Sequence, residues 1–242
     1  MKTIQGAALV LLLAASWPAA LARASSSVDL AELGRLPAEA LDGLRDGECE
    51  VFVAQARLAA AEADEKTAGD EERSAKRRLK IETQDLKAAE SEAQAAKASA
   101  RAAGAVDVAD PTTATDAPPD EAVNSKERRR LVEAKRRLGE ATADHDLAQA
   151  YVEWRSAQTV AAEDGIRMAQ ATLDAAEARR DLARAKMLNT HAGTARFDLA
   201  ALEAAMSKAE TAAAAEAARA AGSRDRSAQA KAAWEALAPP QQ

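Results

Sequence analysis

Aromatic, cysteine and histidine side chains are scarce in this chain of 242 residues. Aromatic residues make up 2% of it, and it holds one Cys and two His. The single Cys49 excludes an intramolecular disulfide and a cysteine-rich metal site. Much of the 48% hydrophobic fraction is Ala, whose side chain buries little apolar area. The composition therefore argues against an ordinary globular domain with a thick core.

Strand-forming residues are also rare, since β-branched and aromatic side chains are few. What is abundant is Ala, Leu, Glu, Lys, Arg and Gln, which are the strongest helix formers. With 30% charged residues, this composition is typical of a coiled coil. We expect an all-α fold with no sheet. The net charge of −6 and pI near 5.2 give no indication of a nucleic-acid partner.

The N-terminus has the pattern of a secretory signal peptide over residues 1–24. Lys2 is followed by an apolar run from Ala7 to Ala15, too short for a bilayer-spanning helix of about 20 residues. Small residues then allow cleavage after Ala22 or Ala24. This predicts export to the bacterial periplasm or the extracellular space, with no membrane span after signal removal. An uncleaved anchor or a buried helix is the alternative interpretation.

A heptad pattern predicts the first long helix. Residues 25–45 are Leu-rich but interrupted by Gly and Pro, which predicts a short N-terminal helical cap. Beyond them, every seventh residue is mostly a large aliphatic or charged residue, and the residue three positions after it is mostly Ala. These two positions form the seam along which the helices of a coiled coil pack. The first series is Leu44, Val51, Leu58, Glu65, Glu72, Leu79 and Leu86. We therefore predict a coiled-coil helix over 46–103.

A Pro/Thr/Asp-rich segment over 104–125 predicts a loop, because Pro cannot continue a helix. Asp120 or Ser125 is placed to cap the next helix. A second heptad series runs from Leu131 to Met187, which predicts coiled-coil helix 2 over 126–190.

Two helices of similar length joined by one loop predict an antiparallel hairpin, in which facing residue numbers sum to about 225. The predicted neighbours are Leu58 and Ile166, Val51 and Leu173, Glu72 and Arg155, Lys76–Arg78 and Asp144/Asp146, and Arg128–Arg130 and Glu90/Glu92. The polar seam residues Glu65, Glu72 and Arg155 are expected to fix this register.

A second apolar stripe on helix 2 predicts a third helix. The stripe covers only the C-terminal half of helix 2, and a helix that is apolar on two faces packs on two sides. Its members are Leu147, Trp154, Ala161, Met168, Ala175 and Leu182. We predict helix 3 over 194–237, with a break or bend at Gly222–Ser223 and a tail at 238–242. The apolar residues expected to pack it are Phe197, Leu199, Leu202, Met206, Trp234 and Leu237.

The histidine, cysteine and aromatic residues, which often form catalytic or binding sites in proteins, are interpreted as structural in this chain. His145 lacks a ligand partner at helical spacing and is interpreted as a seam residue, and His191 as a helix-terminal cation. Cys49 is interpreted as a half-buried helix thiol, with a cross-link between chains as the alternative. Tyr151, Trp154 and Trp234 are expected to pack the core rather than form a ligand box. We predict no catalytic, cofactor-binding or metal-binding residues.

The basic runs Lys76–Lys80 and Arg128–Arg137 are interpreted as salt-bridged, solvated faces rather than sites for anionic lipid or polymer. The sequence favours a non-enzymatic structural or scaffolding coiled-coil protein of the bacterial cell envelope. It would act as a spacer or rod for an unidentified protein partner, with self-association as one option. The alternative is a periplasmic binding module or holdase-type chaperone that docks a channel or client through the hairpin.

Overall fold

The computed structural model describes residues 33–34, 36–103, 121–192 and 196–238, and over these ranges the chain forms helices and no strand. In chain order the helices are α1 (Ala38–Asp42), α2 (Arg45–Ala102), α3 (Glu121–Ala192) and α4 (Leu199–Leu237). The three long helices pack against one another, with α2 and α3 as an antiparallel hairpin and α4 packed against it. This confirms the predicted all-α hairpin with a third helix.

Several predicted segments lie outside the described residues. They are the signal peptide at 1–24, the first part of the N-terminal cap, the connection at 104–120 and the tail beyond 238. The first and last residues of α2, Arg45 and Ala102, each lie one residue before the predicted bounds of 46 and 103. α3 begins at Glu121, so the predicted loop end at 125 and a capping role for Ser125 are wrong. Residues 121–125 contain neither Pro nor Gly, and nothing prevents the helix from starting there.

The start of α4 also differs from the prediction, because side chains order the preceding turn. Asn189 Oδ1 accepts hydrogen bonds from the backbone N–H groups of Arg196 (2.9 Å) and Phe197 (3.1 Å), and its Nδ2 donates to the Phe197 carbonyl (3.0 Å). Asp198 Oδ1 then accepts from the Ala201 N–H at 3.1 Å, as an N-cap residue does. The helix therefore begins at Leu199 rather than at 194.

The chain divides into two compact units, and each contains parts of several helices. Of the described residues, unit 1 holds those up to 54 and those within 172–211, and unit 2 holds those within 55–171 and those from 212 onwards. In unit 1 a leucine core of Leu33, Leu44 and Leu188 is packed by Leu36, Ala183, Met187 and Phe197. The residues that precede α1, α2 and α4 thus meet the end of α3 around large apolar side chains.

Unit 2 is built on an alanine seam. The residues buried between its helices at predicted heptad positions are Ala68, Ala75, Ala89, Ala100, Ala134, Ala148 and Ala169. The seam leucines, such as Leu79 and Leu138, are half-buried. Cross-helix bonds from Arg155 to Glu71 (2.7 Å), from Arg137 to Glu92 (2.9 Å) and from Ser99 to Glu127 (3.0 Å) show the antiparallel register directly. That register is within a few residues of the predicted one.

α4 runs without interruption through Gly222 and Ser223, so the predicted bend there is wrong. Its buried positions recur at the spacing of a coiled coil, and the middle of the helix packs through Ala and Ser. Leu237, which was expected to pack, is exposed. The second stripe of α3 is buried or half-buried at every predicted position, which confirms that α3 packs on two sides.

Candidate functional site

Three rings from α3 and α4 form an aromatic cluster in unit 2. Trp154 and Trp234 stack with centroids 4.8 Å apart, and Tyr151 meets Trp154 edge-to-face at 5.5 Å and Trp234 at 5.3 Å. Such offset and T-shaped pairs add roughly 0.5–1.5 kcal/mol to the effect of buried area. The rings come from positions 80 residues apart in sequence, so they join the C-terminal part of α4 to the middle of α3.

Arg155 connects this cluster to α2. Its guanidinium carbon lies 4.2 Å from the Trp154 ring centroid, and its Nε donates to the Tyr151 hydroxyl at 3.0 Å. Its Nη1 donates to Glu71 and to Gln158, both at 2.7 Å. Stacking, ion pairing and hydrogen bonding of one guanidinium are what arginine does better than lysine. Arg155 faces Glu71 rather than the predicted Glu72.

A cavity of about 450 Å³ opens beside the rings in unit 2. Its lining combines the three aromatic residues and Leu147 with the charged side chains Arg78, Glu82 and Asp144. The Trp154 ring stacks on Trp234, has the Arg155 guanidinium carbon 4.2 Å from its centroid, and has Lys231 Nζ 5.8 Å from its centroid. Because the ring already has these three partners within the chain, the contacts favour core packing over a ligand box.

A buried polar network joins α3 to α4, and the sequence patterns did not single it out. Asp164 is 4% exposed and Ser223 is 1% exposed. The Ser223 hydroxyl hydrogen-bonds to Asp164 Oδ2, and Arg167 Nη1 donates to Asp164 Oδ1 at 3.0 Å. Arg226 Nη2 donates to Ser223 Oγ at 3.0 Å. One sequence feature could have indicated this network: Asp164 lies three residues after Ala161, on the second apolar stripe of α3.

Glu72 holds the α2–α3 seam through polar contacts. Lys76 Nζ lies 2.6 Å from Glu72 Oε1, and the Ser156 hydroxyl donates to the same oxygen at 2.6 Å. Hydrogen bonds from Lys76, Ser156 and Thr159 outweigh the effect of burial and lower the pKa of Glu72 from 4.5 to about 2. The predicted neighbour Arg155 lies on the facing part of α3 but bonds to the adjacent Glu71, and Thr159, one turn further along α3, bonds to Glu72.

The basic runs make local ion pairs. Lys76 pairs with Glu72 and Arg78 with Glu82 (3.8 Å), both along α2. Arg78 and Asp144 line the same cavity, in agreement with their predicted proximity, but Arg78 takes Glu82 as its ion-pair partner. Arg130 pairs with Glu127, and it is Arg137 that reaches Glu92. The predicted partners differ because side chains three or four residues apart on a helix meet more readily than those across a seam. Arg136 and Arg137 lower the pKa of exposed Glu133 from 4.5 to about 2.

The two histidines lie on α3 and the cysteine lies on α2. His145 is half-buried at its seam position, with Nδ1 3.4 Å from Asp146 Oδ1, and His191 is exposed in the last turn of α3. Among the described residues, no three His, Cys, Asp or Glu side chains are grouped to hold a metal ion. Cys49 is exposed, so its interpretation as half-buried is wrong, because it lies on the face of α2 opposite the seam.

Unit 1 carries an exposed apolar surface, which we define as Leu41, Cys49, Phe52 and Val53. Phe52 is 72% exposed, and Leu41 and Val53 are also exposed. Together with Leu33 and Leu44 they line a groove of about 680 Å³ whose rim carries Asp42, Arg45, Glu48 and Arg184. The sequence signal was a pair of large apolar residues, Phe52 and Val53, next to rather than on the seam position Val51.

No protein-family model matches the chain, and no curated protein or solved structure matches it either. None of the helices in the described ranges combines the length and apolar character that crossing a bilayer requires.

Proposed function

We propose that this protein is a non-enzymatic helical scaffold of the bacterial cell envelope, exported by its signal peptide, that binds a protein partner through the apolar surface of unit 1. The observation that carries the proposal is the exposure of Phe52 beside a groove floored by leucines. Monomeric soluble proteins rarely expose contiguous apolar surface without an interaction that covers it. A large aromatic side chain beside a groove is a typical binding hot spot.

A scaffolding role is supported by the contacts of the polar residues that lie between helices. Arg155 bonds to Glu71 and stacks on Trp154, Ser223 bonds to Asp164, and Glu72 bonds to Ser156. Each joins one helix to another, and such satisfied networks specify one packing arrangement. Export is supported by the N-terminal sequence pattern alone.

A periplasmic holdase is the second candidate, since the same apolar groove would also take an unfolded segment of a client. The two are separated by an aggregation assay with a denatured outer-membrane protein. A scaffold leaves client aggregation unchanged at equimolar ratio, whereas a holdase suppresses it and loses the effect when Phe52 is replaced by Glu.

Photo-crosslinking in cells tests the scaffold proposal. A photoreactive amino acid is placed at Phe52 and, as a control, at Ile81, which is 57% exposed on the α2 segment of unit 2. We expect one discrete adduct from position 52 and none from position 81, in a periplasmic fraction in which the chain begins after Ala22 or Ala24. Equal labelling from both positions, or a chain retained in the cytoplasm with its N-terminus intact, would contradict the proposal.

A further inference from the structure

We propose that the partner on the apolar surface of unit 1 is a second copy of this chain, held in a two-fold symmetric pair in which Phe52 of each copy enters the groove of the other. The proposal rests on the partner-binding role proposed above and names the partner. In a two-fold interface the same surface faces itself, so one copy must present both halves of every contact.

The apolar contacts meet this requirement. The groove of one copy has Leu33 and Leu44 as its floor, both almost buried, and Leu41 at its edge. Phe52 stands at the rim of the same groove with most of its ring in solvent. An aromatic anchor and a groove large enough for it therefore lie side by side, and a two-fold axis between them inserts each anchor into the other copy.

The charges on the rim are self-complementary as well. Glu48 is already satisfied within the chain, because Arg184 Nε donates to its Oε1 at 2.9 Å. Asp42 and Arg45 are exposed, and within the described part of the chain neither makes an ion pair. One unpaired acid and one unpaired base on the same rim allow two reciprocal Asp42–Arg45 pairs across a two-fold axis.

The balance of charge also favours a second copy over an anionic surface. Among the residues that the structure describes, the rim carries two acidic and two basic residues, although the chain as a whole has a net charge of −6. Two copies therefore meet at these described residues without local repulsion. A surface that binds anionic lipid needs an excess of Lys or Arg around its apolar residues, and the described residues of this rim show no such excess.

The first test is the mass of the full mature chain by sedimentation equilibrium over a range of concentrations. We expect a monomer–dimer equilibrium with a dissociation constant on the order of micromolar, typical of a small interface. Phe52→Glu should raise that constant at least about 30-fold, the loss expected for a hot-spot residue. Ile81→Glu puts the same charge on another exposed apolar position, in unit 2, and should leave the dissociation constant unchanged.

A charge swap tests the reciprocal pairing. Asp42→Arg alone and Arg45→Asp alone should each weaken dimerisation about 10-fold, and the double variant should restore it. The control swap, Asp70→Arg with Arg73→Asp, alters an exposed pair bonded along α2 and should change nothing as single or double variants. Helical circular dichroism of every variant shows whether the fold is retained.

Three results would overturn the dimer: a monomer at all concentrations, a dimer indifferent to Phe52→Glu, or single charge variants that weaken a dimer the double variant does not restore. The photo-crosslinked adduct at position 52 distinguishes failure of the dimer proposal from failure of the scaffold proposal. An adduct with a different protein overturns the second copy but keeps the scaffold. The absence of any adduct, with a monomer in solution, contradicts both.

Discussion

The helices of the two units are packed together by different kinds of side chain. Unit 1 closes a small core with large aliphatic residues, Leu33, Leu44 and Leu188, to which Phe197 and Met187 add. Unit 2 packs alanines along its seams and joins its helices through polar pairs and a ring cluster. Because an Ala side chain buries little area, unit 2 depends more on helix propensity and on directional contacts.

The difference extends to the surface. In unit 1 the exposed large apolar residues gather around one groove, whereas those of unit 2 are distributed over three helices as Ile81, Val132, Val160 and Leu237. Scattered single exposures are normal, but a gathered set is what marks an interaction site. The unit with the larger core residues is therefore also the one on which we propose that a partner binds.

The largest effect is expected from the leucine core of unit 1. Leu188→Ala removes a side chain that is almost fully buried between Leu33 and Leu44, and it should lower the free energy of unfolding by about 3 kcal/mol. Leu237→Ala makes the same chemical change at an exposed site and should stay within about 0.5 kcal/mol. Urea unfolding followed by circular dichroism measures both. Similar losses for the two variants would show that unit 1 has no core of its own.

A smaller effect is expected where unit 2 buries a charge. Ser223→Ala removes one of the two side-chain hydrogen bonds to the Asp164 carboxylate and should cost about 1–2 kcal/mol, even though Ala is the better helix former. Ser207→Ala, at an exposed position on the same helix, is the matched control and should be neutral or slightly stabilising. A stabilised Ser223→Ala variant would mean that the network contributes specificity rather than stability.

The heptad spacing predicted which residues lie on the seams. Large aliphatic residues are rare in this chain, so their recurrence every seven residues is compatible with few alignments of the helices. It missed the start of α4, where Asn189 and Asp198 bond to backbone groups brought near by the turn itself. It also missed the Asp164–Ser223 contact and the pairing of Arg155 with Glu71, one residue from the prediction. A period gives the face of a helix on which a residue lies, whereas the side-chain conformation decides which of two neighbours it reaches.

A third prediction isolates one directional contact of unit 2. In a double-mutant cycle of Arg155→Met and Glu71→Gln, we expect a coupling energy of about 1 kcal/mol, since Arg155 is mostly buried and Glu71 partly exposed. Trp154 and Trp234 report locally, so tryptophan fluorescence should change with Arg155→Met and hardly at all with Glu71→Gln. Coupling indistinguishable from zero would show that Arg155 acts through its contacts with Trp154, Tyr151 and Gln158 rather than through Glu71.

The smallest effect is a pH dependence carried by Glu72. Its folded-state pKa of about 2 lies below the ordinary 4.5, so the unfolded chain binds the proton more tightly. The contribution is therefore fully present above pH 4.5 and is lost as the pH falls from 4.5 towards 2. Glu72→Gln should lower the free energy of unfolding by about 0.5–1 kcal/mol at pH 7, because the exposed Lys76 partner limits the gain.

The same variant gives the decisive comparison at low pH. Other carboxylates titrate in both proteins, so the informative quantity is the difference in urea midpoint between the native chain and Glu72→Gln. That difference should narrow steadily from pH 5 to pH 2.5, since protonated Glu72 loses its charge-assisted bonds to Lys76 and Ser156. A difference that stays constant over this interval would show that Glu72 fixes the seam by its shape and neutral hydrogen bonding, without any contribution from its charge.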